Sequence, residues 1–255
     1  MDFSPSRKCR AALCALLCAA LLGVAPTIRQ SASSTQITST NATVVFGADP
    51  TFTTNEEFCA IVFQALSASA PSFSGTWTTI DSSTAEATSN YTIACRAVAS
   101  GDTVSTTLTV LGTGVAHTQI IVWEIENYGS AGADQITGST STTSPVALTP
   151  SASPAGTLTL ASIASYITGV SLSLPTLALC SGFTQDQVPA ASSTTTIKFY
   201  GIAGNDTTPT TSCAMSVAEF SGSIATWTTY AMIFQIKSVA ASCIFGSLAL
   251  LGVGC

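Results

Sequence analysis

Apolar residues in this chain come in short runs, and the positions between them are mostly Ser, Thr, Gly and Asn. The runs include "ATVVF", "FCAIVFQAL", "NYTIACRAV", "STTLTVLG" and "TQIIVWEIE" in the first half. "GTLTLASIA", "TTIKFYGIA", "CAMSVAEF" and "YAMIFQIK" follow in the second. Each is rich in Thr and β-branched residues and is bounded by Gly, Ser, Asn, Asp or Pro, the usual punctuation of strands and turns. Beyond the first thirty residues no segment sustains a helical period, so the pattern predicts an all-β body. Many short strands at regular spacing predict one antiparallel, jelly-roll-like β-sandwich.

The pattern also repeats. "SGTWTTIDSS" followed by "IACRAVASGDT" has the same plan as "SGFTQDQVPA" followed by "IKFYGIAGNDT". Ile93, Ala99, Asp102 and Thr103 fall opposite Ile197, Ala203, Asp206 and Thr207, and "VWEI" at 122–125 parallels "VAEF" at 217–220. The sandwich is therefore expected to consist of two related halves. Phe183 takes the place of Trp77 in this scheme, and Trp227 belongs to a penultimate strand. The two "TWTT" copies, at 76–79 and 226–229, are then not repeat equivalents.

The ends differ from this body. Arg7, Lys8 and Arg10 precede an apolar run from Ala11 to Ala25, the order of a secretory leader. The run is short for a membrane span. Residues 1–30 are read as a signal peptide or hydrophobic anchor helix, 31–39 as a polar linker, and 40–237 as the sandwich. Residues 238–255 are read as an apolar tail that packs on the body or on a neighbouring subunit. Cleavage is placed after Ala25 or nearer Ser33.

Charge narrows the function. Only 8% of the residues are charged, against roughly 25% in an average soluble domain. After position 30 three cations (Arg96, Lys198, Lys237) stand against twelve acids. So few cations cannot neutralise a run of phosphates, which excludes nucleic acid as a partner. Electrostatic attachment to anionic lipid is disfavoured for the same reason. Ser and Thr, about a third of the residues after position 30, supply the polar surface instead.

Outside the leader stand Cys59, Cys95, Cys180, Cys213, Cys243 and Cys255. An even count behind a leader suggests up to three disulfides, with connectivity open. Cys59–Cys95, Cys180–Cys213 and Cys243–Cys255 would each close a loop within one region. No pair has C-x-x-C spacing and His117 is the only histidine, so neither zinc nor any other cofactor is expected.

Candidate chemistry is sparse. Glu124 and Glu126 alternate on one strand, which sets their side chains about 7 Å apart on a shared face. That separation suits an inverting glycosidase, but catalytic carboxylates normally come from different strands. Ile120 and Val122 precede them, so a strand running from core to solvent is the simpler reading. A Ser-His-Asp triad would need His117, which sits beside "GTGVA" without a G-x-S-x-G. Asp102-Thr103 and Asp206-Thr207 lack the Gly of an aspartic-protease loop and read as turns. No enzyme is expected.

Binding has more candidates. Trp77, Trp227, Tyr91, Tyr128 and Tyr230 would stack on sugar rings if exposed, although a Trp in a sandwich is usually core. Asn41, Asn90 and Asn205 head glycosylation sequons.

"SGFTQ", "VWEIENYG…AD" and "WTTYAMIFQIK" together resemble the secreted, jelly-roll-like β-sandwich modules of bacterial and phage surface proteins, over roughly Thr40 to Lys237. The resemblance implies a non-enzymatic fibre, decoration or adhesion part, acting outside a cell or on a virion. Its partners would be copies of itself or other structural chains, with carbohydrate binding as the alternative. The cysteines and the apolar tail depart from that pattern.

Overall fold

A computed structural model describes residues 25–36, 44–46, 56–65, 70–73, 75–86, 89–102, 110–111, 117–141, 146–148, 158–170, 174, 176–193, 197–206, 215–218 and 223–238. The expected leader helix before residue 25, Asn41, Cys213, Cys243, Cys255 and the tail beyond Ser238 lie outside these residues.

Among the described residues the fold is all-β, with antiparallel sheets and no helix. The first half carries β1 (Thr27–Gln36), β2 (Glu56–Ala65), β3 (Ser72–Phe73), β4 (Thr78–Glu86), β5 (Ser89–Ala97), β6 (Val110–Leu111) and β7 (His117–Glu126). The second carries β8 (Tyr128–Ser141), β9 (Val146–Leu148), β10 (Leu158–Val170), β11 (Thr176–Ala178), β12 (Thr184–Gln187), β13 (Ser192–Ser193), β14 (Ile197–Asp206), β15 (Met215–Ala218) and β16 (Ser223–Ser238).

Two large sheets dominate. Their orders are β1-β7-β2-β5-β4 and β8-β16-β10-β14-β12, so each visits its strands in the same relative chain order. The shorter strands follow suit: β3 pairs β6 in the first half, while β11 pairs β15, and β15 pairs β9, in the second. Gly75 before β4 and Gly182 before β12 both take φ 94°, a left-handed turn that glycine adopts without steric cost. Trp77 and Phe183 follow these glycines into equivalent strands. The parallel drawn between 122–125 and 217–220 does not hold: β7 takes the place of β16, whereas 217–218 lie in the short strand β15.

The sheets meet with β1 against β12, β7 against β14, β2 against β10 and β4 against β8. Their shared cluster takes Cys59, Ile61, Ile93, Ile121 and Trp123 from one sheet and Leu158, Leu160 and Tyr166 from the other. The opposite face of β2 and β7 presents Phe58, Ala60, Val62, Ile120 and Val122 to Val44 and Phe46. The outer face of β10 and β14 packs Ile163 and Ile202 on Cys180 and Met215. A strand buried on both faces reads as a continuous apolar run, which is why "FCAIVFQAL" shows no alternation. Each fully buried Leu or Ile contributes about 1.5–3 kcal/mol, so these clusters hold the fold.

Residues 31–36, read from the sequence as linker, belong to β1 together with 27–30. Their Ser, Thr and Gln side chains suit an edge strand, where one side of the backbone ladder stays unpaired. A cut near Ser33 would sever this strand. A cut after Ala25 would leave it whole. One residue, Asn127, joins β7 in one sheet to β8 in the other, with φ 57°. Asn is among the few residues that tolerate this left-handed region.

Candidate functional site

Arg29, Glu56, Glu124 and Glu126 gather where β1, β7 and β2 end together. Register places Glu124 between Gln30 and Phe58, and Glu126 between Thr27 and Glu56. The β1–β7 ladder shifts between Ile28 and Gln30, which makes Arg29 the extra residue of a bulge. Arg29 ion-pairs with Glu56, and its Nε lies 3.4 Å from Glu126. Gln30 donates from Nε2 to Glu124. Glu124 is fully buried and Glu56 nearly so, whereas Glu126 reaches solvent.

Glu124 does not mark the solvent end of its strand, as the sequence suggested. Burial drives its carboxyl up from the ordinary 4.5 to about 7, helped by the adjoining Glu56 and opposed by Gln30 and Arg29. Two carboxylates are acceptors only, so they meet at hydrogen-bond range when one carries a proton. The pair therefore keeps a proton well above the ordinary carboxylate range. The carboxyl that joins it is Glu56 of the neighbouring strand, not Glu126 two residues on. Strand register decides that pairing, and no sequence signal pointed to Glu56, Arg29 or Gln30.

A second arrangement surrounds Trp77, which is partly buried against the Phe58 cluster. Its ring stacks on Phe73 at 4.4 Å. The Arg96 guanidinium lies 5.5 Å from the Trp77 ring centroid and 4.9 Å from that of Phe58. Asp102 fixes it by accepting from both terminal nitrogens, at 2.7 and 2.9 Å, and also accepts from the Ala99 backbone N–H at 2.7 Å. Asp102 thus closes a turn.

The remaining candidates are scattered. Tyr128 is half-buried on the shared core, and burial raises its phenol. Tyr91 is buried and donates to Asp81 at 3.0 Å. Trp227 and Tyr230 lie in β16, in register with Ile167 and Ala164 of β10. Trp77 precedes β4, and Tyr128 opens β8. His117 is buried beside Tyr166, with ring centroids 6.2 Å apart, and burial lowers its basicity. It is the first residue of β7.

Asn90 is 1% exposed within β5, which leaves no room for a glycan once the chain has folded. Asn205 donates to Asp186 at 2.7 Å. Asp186 also accepts from the Trp123 indole at 2.8 Å, a bond that ties the two large sheets together. Burial raises the Asp186 carboxyl, and these two donors pull it back.

Cys59 and Cys95 are register partners of β2 and β5 and form a disulfide in the shared core, with Cα atoms 4.1 Å apart. Cys180 is also disulfide-bonded. Among the described residues no group of three His, Cys, Asp or Glu side chains is arranged to hold a metal, and no helix is long and apolar enough to cross a membrane.

No protein family, curated protein or solved structure matches the chain.

Proposed function

We propose that this chain is a non-catalytic structural protein of the extracellular space, a cell surface or a virion surface, acting through assembly with itself or with other structural chains. Its two large sheets form a sandwich of two related, jelly-roll-like halves. The observation that carries this reading is how the reactive side chains are used. Glu56 and Glu124 engage Arg29 and Gln30, Arg96 engages Asp102, and Asp186 engages Trp123 and Asn205. These contacts join strands or close turns, as in a scaffold. The Cys59–Cys95 bridge suits an oxidising compartment. Surface positions such as Thr76, Thr78, Thr79, Ser82 and Thr184 present hydroxyls without charge.

Light scattering coupled to size exclusion tests the proposal. Higher-order species, lost on deletion of residues 238–255, are expected. A strictly monomeric protein that is indifferent to the deletion would refute it.

Trp77 favours the alternative, a carbohydrate-binding or adhesion module. Its partly exposed ring beside the exposed Thr76 offers a surface on which a sugar could stack. Loss of glycan-array binding in Trp77→Ala would support that role, and an array without hits would exclude it.

A further inference from the structure

We propose that Glu56, Glu124 and Arg29 form a protonation-controlled latch on the N-terminal edge strand β1, closed while the two carboxyls share a proton and loosened when that proton leaves for water.

Three observations carry it. Glu124 and Glu56 sit in the interior on neighbouring strands, and Glu124 Oε1 has no hydrogen-bond donor within reach. Without a proton, both carboxylates press on each other where water does not screen them. The cation that compensates them belongs to the strand being held: Arg29 is the bulged residue of β1 and contacts both Glu56 and Glu126.

The third observation is that β1 lies at the sheet edge and buries few of its described side chains. Of its described side chains only Gln30 and Ala32 are buried, and Ile28 is partly so. Gln187 adds bonds to Ser31 and Ser33 at 2.9 and 2.8 Å. Segments with so few buried apolar contacts open below the global unfolding free energy.

The charged neighbours fit this reading. From β7 comes Glu126, and from β5 comes Arg96, already tied to Asp102. Glu57 occupies the adjacent position on β2, paired with Ile125 of β7. Among the described residues, the guanidinium that contacts the pair is that of Arg29.

The sign follows from linkage. Opening β1 hydrates Glu124 and returns it towards its ordinary 4.5, whereas the closed state holds it at about 7. The closed state binds more protons, so it is fully favoured below pH 4.5, loses ground as pH rises, and levels off above 7. The opening constant of β1 then rises by up to about tenfold per pH unit between pH 5 and 7.

Amide hydrogen exchange on the full chain, expressed as protection factors from pH 5 to 8.5, reads this directly. Protection of residues 27–36 is expected to fall across pH 5–7 and then level, while remaining below that of β10 throughout. Glu124→Gln should flatten the profile. Protection of β1 that is constant with pH would overturn the latch. So would β1 protection equal to that of β10 at every pH, since the proton would then serve the whole fold. Both overturning results are read in the wild-type protein, so the test stands even if Glu124→Gln does not fold.

Discussion

Removing the Cys59–Cys95 bridge tests how this fold is held. The two cysteines are 36 residues apart in sequence and directly opposed in the β2–β5 ladder. Cross-linking a loop of that length removes denatured-state entropy worth about 4 kcal/mol near 25 °C. Replacing both with Ala also strips two buried sulfurs from the shared core, at about 1 kcal/mol each. The double variant should therefore lose about 4–6 kcal/mol, a large part of the roughly 5–15 kcal/mol that holds a typical domain.

Each single variant already breaks the bridge. Either Cys→Ala change should thus carry most of the loss, and the second should add only about 1 kcal/mol. Urea unfolding followed by tryptophan fluorescence is the assay, because Trp123 is in register beside Cys59 and fully buried. A double variant within about 1 kcal/mol of wild type would refute the loop-constraint argument. Costs of the two single changes that add in the double variant would refute it as well. Because both sulfurs are buried, native reduction by a thiol should proceed only as fast as the sheets open.

Three further outcomes are expected. Asn127→Val forces a β-branched residue to φ 57° and should cost about 1–2 kcal/mol in thermal or chemical unfolding, whereas Asn127→Gly should be close to neutral. Gly204→Ala would drive a Cβ against the Thr184 carbonyl oxygen and to 2.8 Å from Leu179 Cδ1. It should detach β12 from β14, read as increased exchange at residues 184–187 and a lower melting temperature. Arg96→Lys loses the two-pronged grip on Asp102 and the planar stack on Phe58 and Trp77. It should cost about 1–2 kcal/mol by denaturant titration, and an unchanged midpoint would show that the Arg96 geometry contributes nothing.

Much of the fold was legible from the chain itself. β-branched runs such as "TQIIVWEIE" locate β7, and "NYTIACRAV" locates β5, because strand preference and bounding turns are local properties. The Ser-Gly-aromatic motif located equivalent turns before β4 and β12, since only a glycine sits comfortably at φ 94°. The strand β1 escaped notice. Its hydroxyl-rich residues bury little, so an edge strand looks the same as a linker.

The candidate site was less legible still. Glu124 was visible as a carboxyl near the end of a strand, but its partners Glu56, Arg29 and Gln30 come from elements brought beside it by pairing. Likewise Cys59–Cys95 is one of fifteen pairings that six cysteines allow, and the β2–β5 register selects it. The sequence by itself determined the type of element, the turns and the scarcity of charge. Tertiary structure decided which strands pair, in what register, and which faces are covered. Those choices depend on burying both faces of β2, β7 and β10 at once, a condition that no local window of residues contains.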